Sequence, residues 1–205
     1  MTGNLFIVCA PSGAGKTSLV NELLKADPQI GLSVSYTTRA PRLGEVDGRD
    51  YHFVSDQKFA RMLEQGEFLE SALVHGNHYA TSARWINEQR AASHDILLEI
   101  DWQGADQVRR LIPETIGIFI LPPSFEALVS RLNKRAQDSP QAIARRLAAA
   151  REEISHVGEF DYVIINDDFG EAVRDLVGIV RTRRLLAPVQ LARHRSQINR
   201  MKQGI

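Results

Sequence analysis

Residues 5–17 read LFIVCAPSGAGKT, an apolar run that passes through a glycine-turned loop into a lysine and a threonine. Few folds accommodate that order. Leu5 to Cys9 is too short for a helix and is bounded by turn residues, so it predicts a buried parallel strand. The next residues let the backbone curl with successive amides pointing inward, and a helix from about Lys16 adds its positive dipole end. The product is an anion cradle. Ala10, Pro11, Ser12, Gly13, Ala14, Gly15, Lys16, Thr17 and Ser18 are therefore the candidate seat of a nucleoside triphosphate. Lys16 would reach the β- and γ-phosphates as a point charge, and the Thr17 hydroxyl would take one position on Mg²⁺. Ala10 stands where this phosphate-loop pattern usually has a glycine. The bland alternative is a strand-to-helix turn with a surface lysine. The strand before and the apolar stripe after it (Leu19, Val20, Leu23, Leu24) weigh against that.

At 205 residues the chain can hold one substantial core with an inserted lobe, but not two full domains with linkers. Its net charge is +0, so no overall field points to nucleic acid or a membrane surface. Of 25 basic residues 20 are arginine, whose planar fork suits phosphate. The single Cys9 excludes an intramolecular disulfide framework, and it is expected to be a small core residue. With no run of about 18 apolar residues and no leader before the first strand, a cytoplasmic protein is expected.

Along the chain, Leu32 to Tyr36 alternates as a strand would. Residues 33–53, SVSYTTRAPRLGEVDGRDYHF, carry Arg39, Arg42 and Arg49 around Pro41, Gly44 and Gly48, a fixed loop that presents side chains. Arg39 and Arg42 need water or anions. Ser55 predicts an N-cap for a helix with Phe59, Met62 and Leu63 inward, stopped by Gly66. Phe68 to Val74 predicts a strand carrying Glu70, GNHYAT at 76–81 a turn, and Ser82 to Ala92 a helix with Trp85 and Ile86 inward. Asp95 to Asp101 predicts a core strand whose Glu99 and Asp101 face the loop, where they would meet Mg²⁺ through water. Ile116 to Leu121 and Tyr162 to Asn166 predict further core strands. Between them lie two arginine-bearing helices joined by a polar break at 137–141, either a mobile lid or a solvated hairpin. A helix over 170–186 ends before Pro188. The tail beyond carries basic residues and no acid.

Taken in order, the loop, the TTRAPRLGEVDGRDYHF stretch, the EIDWQGA strand end, the RLNKRAQDS hairpin and the VIINDD strand resemble the guanylate kinase family over about residues 5–186. The resemblance implies an α/β P-loop core of three layers with a parallel sheet (1–32, 93–125 and 157–190). It also implies an inserted small α+β GMP-binding lobe (33–92), a helical lid (126–156) and a basic tail (188–205). It implies ATP and GMP as partners, with Mg²⁺ as cofactor. By the family pattern Ser35 and Glu70 hold guanine, with Thr81 near. Arg39, Arg42, Tyr51 and Tyr79 bind the GMP phosphate, and Asp101 is a further GMP-binding residue. Lys16, Arg131, Arg135 and Arg146 supply positive charge to the transfer, and Asn166 sits by the adenine.

The chemistry agrees with that assignment. Guanine offers donors at N1 and N2, which a carboxylate complements, whereas adenine lacks the N1 donor. Three positions depart from the family besides Ala10: Glu99 for aspartate, and Ala80 and Ala136 for glycines. Two rivals stand: another P-loop kinase with a ribose-phosphate or other nucleotide acceptor, and a non-catalytic interaction module on the same fold. The sequence leaves the oligomeric state open, a homo-oligomer included.

Overall fold

Five parallel strands set the frame of the computed structural model, which describes residues 2–74, 76–134 and 140–204, with the side chains of residues 134 and 140–142 left aside. The central strand, β1 (Leu5–Cys9), is buried along its whole length. The other strands of this sheet are β2 (Ile30–Leu32), β7 (Asp95–Glu99), β8 (Ile116–Leu121) and β9 (Tyr162–Ile165), in the order β2-β7-β1-β8-β9. β1 pairs with β7 on one side and β8 on the other, so the strand order reverses at β1 and a crevice opens at its carboxyl end. The loop that leaves β1 emerges there. Register puts Glu99 beside Val8.

Alternate side chains of each strand feed two cores. Phe6, Val8, Leu97, Ile118 and Ile120 meet α1 (Lys16–Ala26) and α7 (Phe169–Arg184) through Leu19, Leu23, Leu176 and Val180. Leu5, Ile7, Leu98 and Phe119 meet α3 (Ala83–Ala91) and α4 (Trp102–Leu111) through Ile86 and Val108. The result is three layers, helix on sheet on helix. Among the described residues no helix is long and apolar enough to cross a membrane.

A second, mixed sheet runs β4-β3-β6-β5, built from β3 (Tyr36–Thr37), β4 (His52–Phe53), β5 (Phe68–Val74) and β6 (Asn77–Ser82). The helix α2 (Asp56–Glu64) has the expected Ser55 cap. Gln107 of α4 fastens this sheet to the core, donating to the Ser71 carbonyl at 2.8 Å and accepting its N–H at 3.1 Å.

Four readings are corrected here. Leu32 to Tyr36 is not one strand: β2 stops at Leu32, the Ser33 N–H bonds the Leu97 carbonyl, and Tyr36 enters the other sheet. Residues 77–82 form β6 and not a turn, because β5 supplies an antiparallel partner from Val74↔Asn77 back to Phe68↔Ser82. Leu63 is exposed and not inward. Asp101 lies past the end of β7, where it caps α4.

The helices α5 (Phe125–Lys134) and α6 (Pro140–Ser155) lie over the loop after β1, with a 3₁₀ turn at Val157–Glu159 behind them. Two short helices, α8 (Ala187–Arg193) and α9 (Arg195–Lys202), form the tail. At the opposite end of the sheet Arg184 is 9% exposed and bonds Asp27 at 2.6 Å and Asp95 at 2.5 Å. Asn4 also donates to Asp95. This triad ties α7 to the amino ends of β2 and β7. Arg184→Ala would strand two buried carboxylates, so a loss of about 3–5 kcal/mol in urea unfolding is expected. A loss below about 1 kcal/mol would mean that the triad is solvated in solution.

Candidate active site

The loop takes the conformation that its glycines permit. Gly13 and Gly15 have φ of 95° and 97°, a region where a side chain is strained. Space forbids one as well. A Cβ on Gly13 would meet Leu128 and Leu132 of α5 at 3.1 Å, and one on Gly15 would meet the Asn166 amide at 2.5 Å. Asn166 lies just past β9 and donates to the Ala14 carbonyl at 2.7 Å. Arg131 of α5 donates to the same carbonyl at 3.3 Å and to the Asn166 carbonyl at 2.9 Å. Both residues therefore brace the loop from behind, and neither lines the cleft in front of it.

Lys16 opens α1, and its ammonium donates to the Ile100 carbonyl at 3.2 Å, which fixes it beside the end of β7. The Thr17 hydroxyl donates to the Glu99 carboxylate at 2.5 Å. The glutamate side chain thus reaches the threonine directly. A hydroxyl and a carboxylate are hard oxygen donors of the kind Mg²⁺ takes in ones and twos beside phosphate and water. Among the described residues no group of three or more His, Cys, Asp or Glu could hold a metal by itself. The residues fit a Mg²⁺ that arrives with a nucleotide, not a caged one.

Across the cleft, Glu70 of β5 is 4% exposed and accepts a hydrogen bond from the Thr81 hydroxyl at 2.6 Å. Burial pushes its carboxyl up to about 7, against the lowering effect of Thr81 and with a further push from Asp101. Gly104 leaves room for it, since a Cβ there would sit 2.4 Å from the Glu70 carboxylate. Asp101, raised by burial as well, accepts the Gly104 N–H at 2.9 Å. Ser35, Arg42, Tyr51 and Tyr79 line the same cavity of about 270 Å³ as Ala10, Pro11, Ser12, Gly13, Gly15, Lys16, Thr17 and Ser18.

Arg39 does not line that cavity. Glu45 takes its guanidinium on both oxygens, at 3.0 and 2.8 Å, and also accepts the Arg42 N–H at 2.7 Å. Arg39 lies over the Tyr51 ring, 5.3 Å from its centre. Its partner in this structure is a carboxylate six residues on. Arg146 of α6 lines the cavity, while Arg135 and Ala136 lie outside the described residues.

Glu45, Trp102, Gly104 and Glu153 also shape the site. Glu45 has a local signal, its spacing behind two arginines. Glu153 has a fainter one, seven residues after Arg146 on the same helix. Trp102 and Gly104 follow the strand end at Asp101, where nothing in the sequence states their role.

A glycine-turned loop at the end of a parallel strand, facing a buried carboxylate across one cleft with arginine-bearing helices above, is the arrangement of a P-loop nucleoside monophosphate kinase. The guanylate kinase family model matches residues 2–183. The guanylate kinase of Dechloromonas aromatica is 58% identical over 98% of this chain and 100% of its own length. That of Methylobacillus flagellatus is 59% identical with the same coverage. Among solved structures, the guanylate kinase from Anaplasma phagocytophilum superposes with a TM-score of 0.77 at 34% identity, covering 91% of this chain and 88% of that one. The chain belongs to the guanylate kinase family.

Proposed function

We propose that this cleft carries the family's reaction with the loop after β1 as the ATP seat and the second sheet as the GMP seat. The chain is a guanylate kinase: it moves the γ-phosphoryl group of ATP to GMP, giving ADP and GDP. One observation carries the assignment of sites. Ala10 to Gly13, Gly15 to Ser18 and the buried Glu70 open into a single cavity that Glu99 and Asp101 line as well.

In this scheme Glu70 accepts from guanine N1 and N2, Ser35 and Thr81 fix the base and the carboxylate, and Arg42, Tyr51 and Tyr79 hold the GMP phosphate. Glu45 keeps Arg39 stretched beside them. The attacking phosphate oxygen is already ionised, so no general base is needed and catalysis is placement and charge. Lys16 meets the charge that spreads over the γ-phosphoryl group, and Arg146 joins it from the lid, with Arg135 assigned there by family pattern. Arg131 acts through the loop that it braces. Asn166 braces Ala14 and, by the same pattern, borders the adenine. Thr17 and Glu99 would hold Mg²⁺, which when bound draws charge from the phosphates.

Residues 33–92 are the GMP lobe in this reading, and 126–156 the lid. The reaction places the protein where ATP and GMP are both present, in the cytoplasm. A non-catalytic module would have no use for Gly13, Gly15 and Lys16 in this geometry. The test is release of ADP and GDP by the purified chain, with Mg²⁺ and with excess chelator. Equal release of both products only with GMP and Mg²⁺ is expected. GMP-independent ADP release, or turnover unchanged by chelation, would contradict the scheme.

A further inference from the structure

α6 brings two opposite charges into the cleft. Arg146 and Glu153 are seven residues apart on α6, about two turns, so they share a face, and both line the cavity. Glu153 lies on the phosphate side. Its carboxylate accepts the Ser12 N–H at 3.3 Å, and that amide belongs to the anion cradle. Burial above all, with Asp101 and Glu152 behind it, opposes its charge and holds the carboxyl up at about 7, against the Ser12 N–H and Lys16, which favour it. A group so disfavoured would be in water if the fold did not bring it there.

The base of α6 is anchored independently. The His156 ring stacks on Trp102 with centroids 3.6 Å apart and planes 10° apart, and Trp102 lines the same cavity. Arg151 lies over the Phe125 ring of α5 at 4.9 Å. Glu153 thus sits three residues before a fixed point, and a modest rotation about His156 would lift it from the loop. A triphosphate brings its own anions to the same amides, and two anions cannot share one set of donors.

We propose that Glu153 is a positioning residue, an internal anion that seats α6 on the phosphate cradle until ATP displaces it, so that loading ATP and freeing the Arg146 helix are one movement. This rests on the loop being the ATP seat. Displacement lowers apparent ATP affinity by the fraction of molecules whose cradle is self-occupied.

The test is equilibrium titration of the full chain with a β,γ-imido ATP analogue and Mg²⁺, without GMP. Glu153→Gln keeps the shape and an acceptor, while Glu153→Ala removes both. The Kd should fall about five- to tenfold in Glu153→Ala and less in Glu153→Gln, as for a cradle self-occupied in most molecules. KM for GMP should not change. The chain has 2 tryptophans, so a Trp85→Phe background leaves Trp102 as a reporter of the α6 base. Its emission should shift on analogue binding and start nearer the bound value in Glu153→Ala. Analogue binding equal to or weaker than the parent in both Glu153 variants, with the Trp102 signal unmoved, overturns the proposal. Lys16→Ala serves as the control. If it binds the analogue as the parent does, the ATP-seat reading fails first; if it weakens binding while the Glu153 variants do not move, this proposal alone fails.

Discussion

Lys16→Ala is expected to lower kcat by at least about 10³-fold, with the Kd for GMP kept within about twofold of the parent. The split follows from where the ammonium sits. Lys16 is fixed on the Ile100 carbonyl at the end of the central sheet, on the donor side of the cleft. The carboxylate assigned to the base, Glu70, belongs to β5 of the other sheet and bonds Thr81 of β6. Removing Lys16 takes away charge that matters most as the γ-phosphoryl group moves, and it touches no group assigned to GMP. Single-turnover rates with direct GMP titration separate the two. Parallel loss of turnover and GMP affinity would mean that Lys16 organises the whole cleft.

Glu70→Gln should be the other large effect, and it should act on selectivity. A carboxylate can accept from N1 and N2 of guanine together, whereas a glutamine amide sets a donor against one of them. Leaving a buried donor unpaired is expected to shrink the GMP-over-AMP preference in kcat/KM by about 10²-fold.

The charge on Glu70 has a cost that titration should reveal. Burial raises its carboxyl to about 7, so the wild-type KM for GMP should fall more steeply than that of the variant as pH rises from about 6 to 8, the GMP phosphate titrating near about 6 in both. Stability without nucleotide should run the other way. The folded-state value lies above the unfolded one, so Glu70 contributes stability below the unfolded carboxylate range and loses it as pH rises through about 7. The loss is on the order of 3 kcal/mol. Glu153, also raised to about 7 by burial, adds in the same direction, and Glu70→Gln should keep only that part. A variant that gains no stability at pH 8 would show that Glu70 is hydrated in solution.

The core was legible because strands buried on both faces read as continuous apolar runs. β1, β8 and β9 lie where LFIVC, IGIFIL and YVIIN put them, with ends shifted by at most one residue. The small sheet was harder. Leu32 to Tyr36 alternates, yet its two ends serve different sheets: the Ser33 N–H makes a last bond to the Leu97 carbonyl, and Tyr36 pairs in the other sheet. Gly76 and Asn77 carry turn chemistry, but the residues after them find a partner in β5 that no local pattern names.

The ATP side of the cleft was readable because the motif is contiguous and its backbone does the binding. The acceptor side depended on residues that meet only after folding. Arg39 stands out as needing an anion, and the spacing of Glu45 behind it is a local signal, but the two-oxygen pairing forms only once the loop closes on itself. Glu153 and Trp102 line one cavity where His156, just past α6, stacks on Trp102 of α4, and Gly104 matters only because Glu70 is pressed against it. Arg131 stands out by its charge, and folding brings it to the Ala14 carbonyl, which no local pattern names.

The most direct test of the whole account is ADP formation by the wild-type chain from Mg-ATP with GMP, AMP, dTMP and ribose 5-phosphate as separate acceptors. A buried carboxylate that reads guanine predicts a kcat/KM for GMP above every other acceptor by about 10³-fold or more. Equal or better turnover of AMP, dTMP or the ribose phosphate would contradict it.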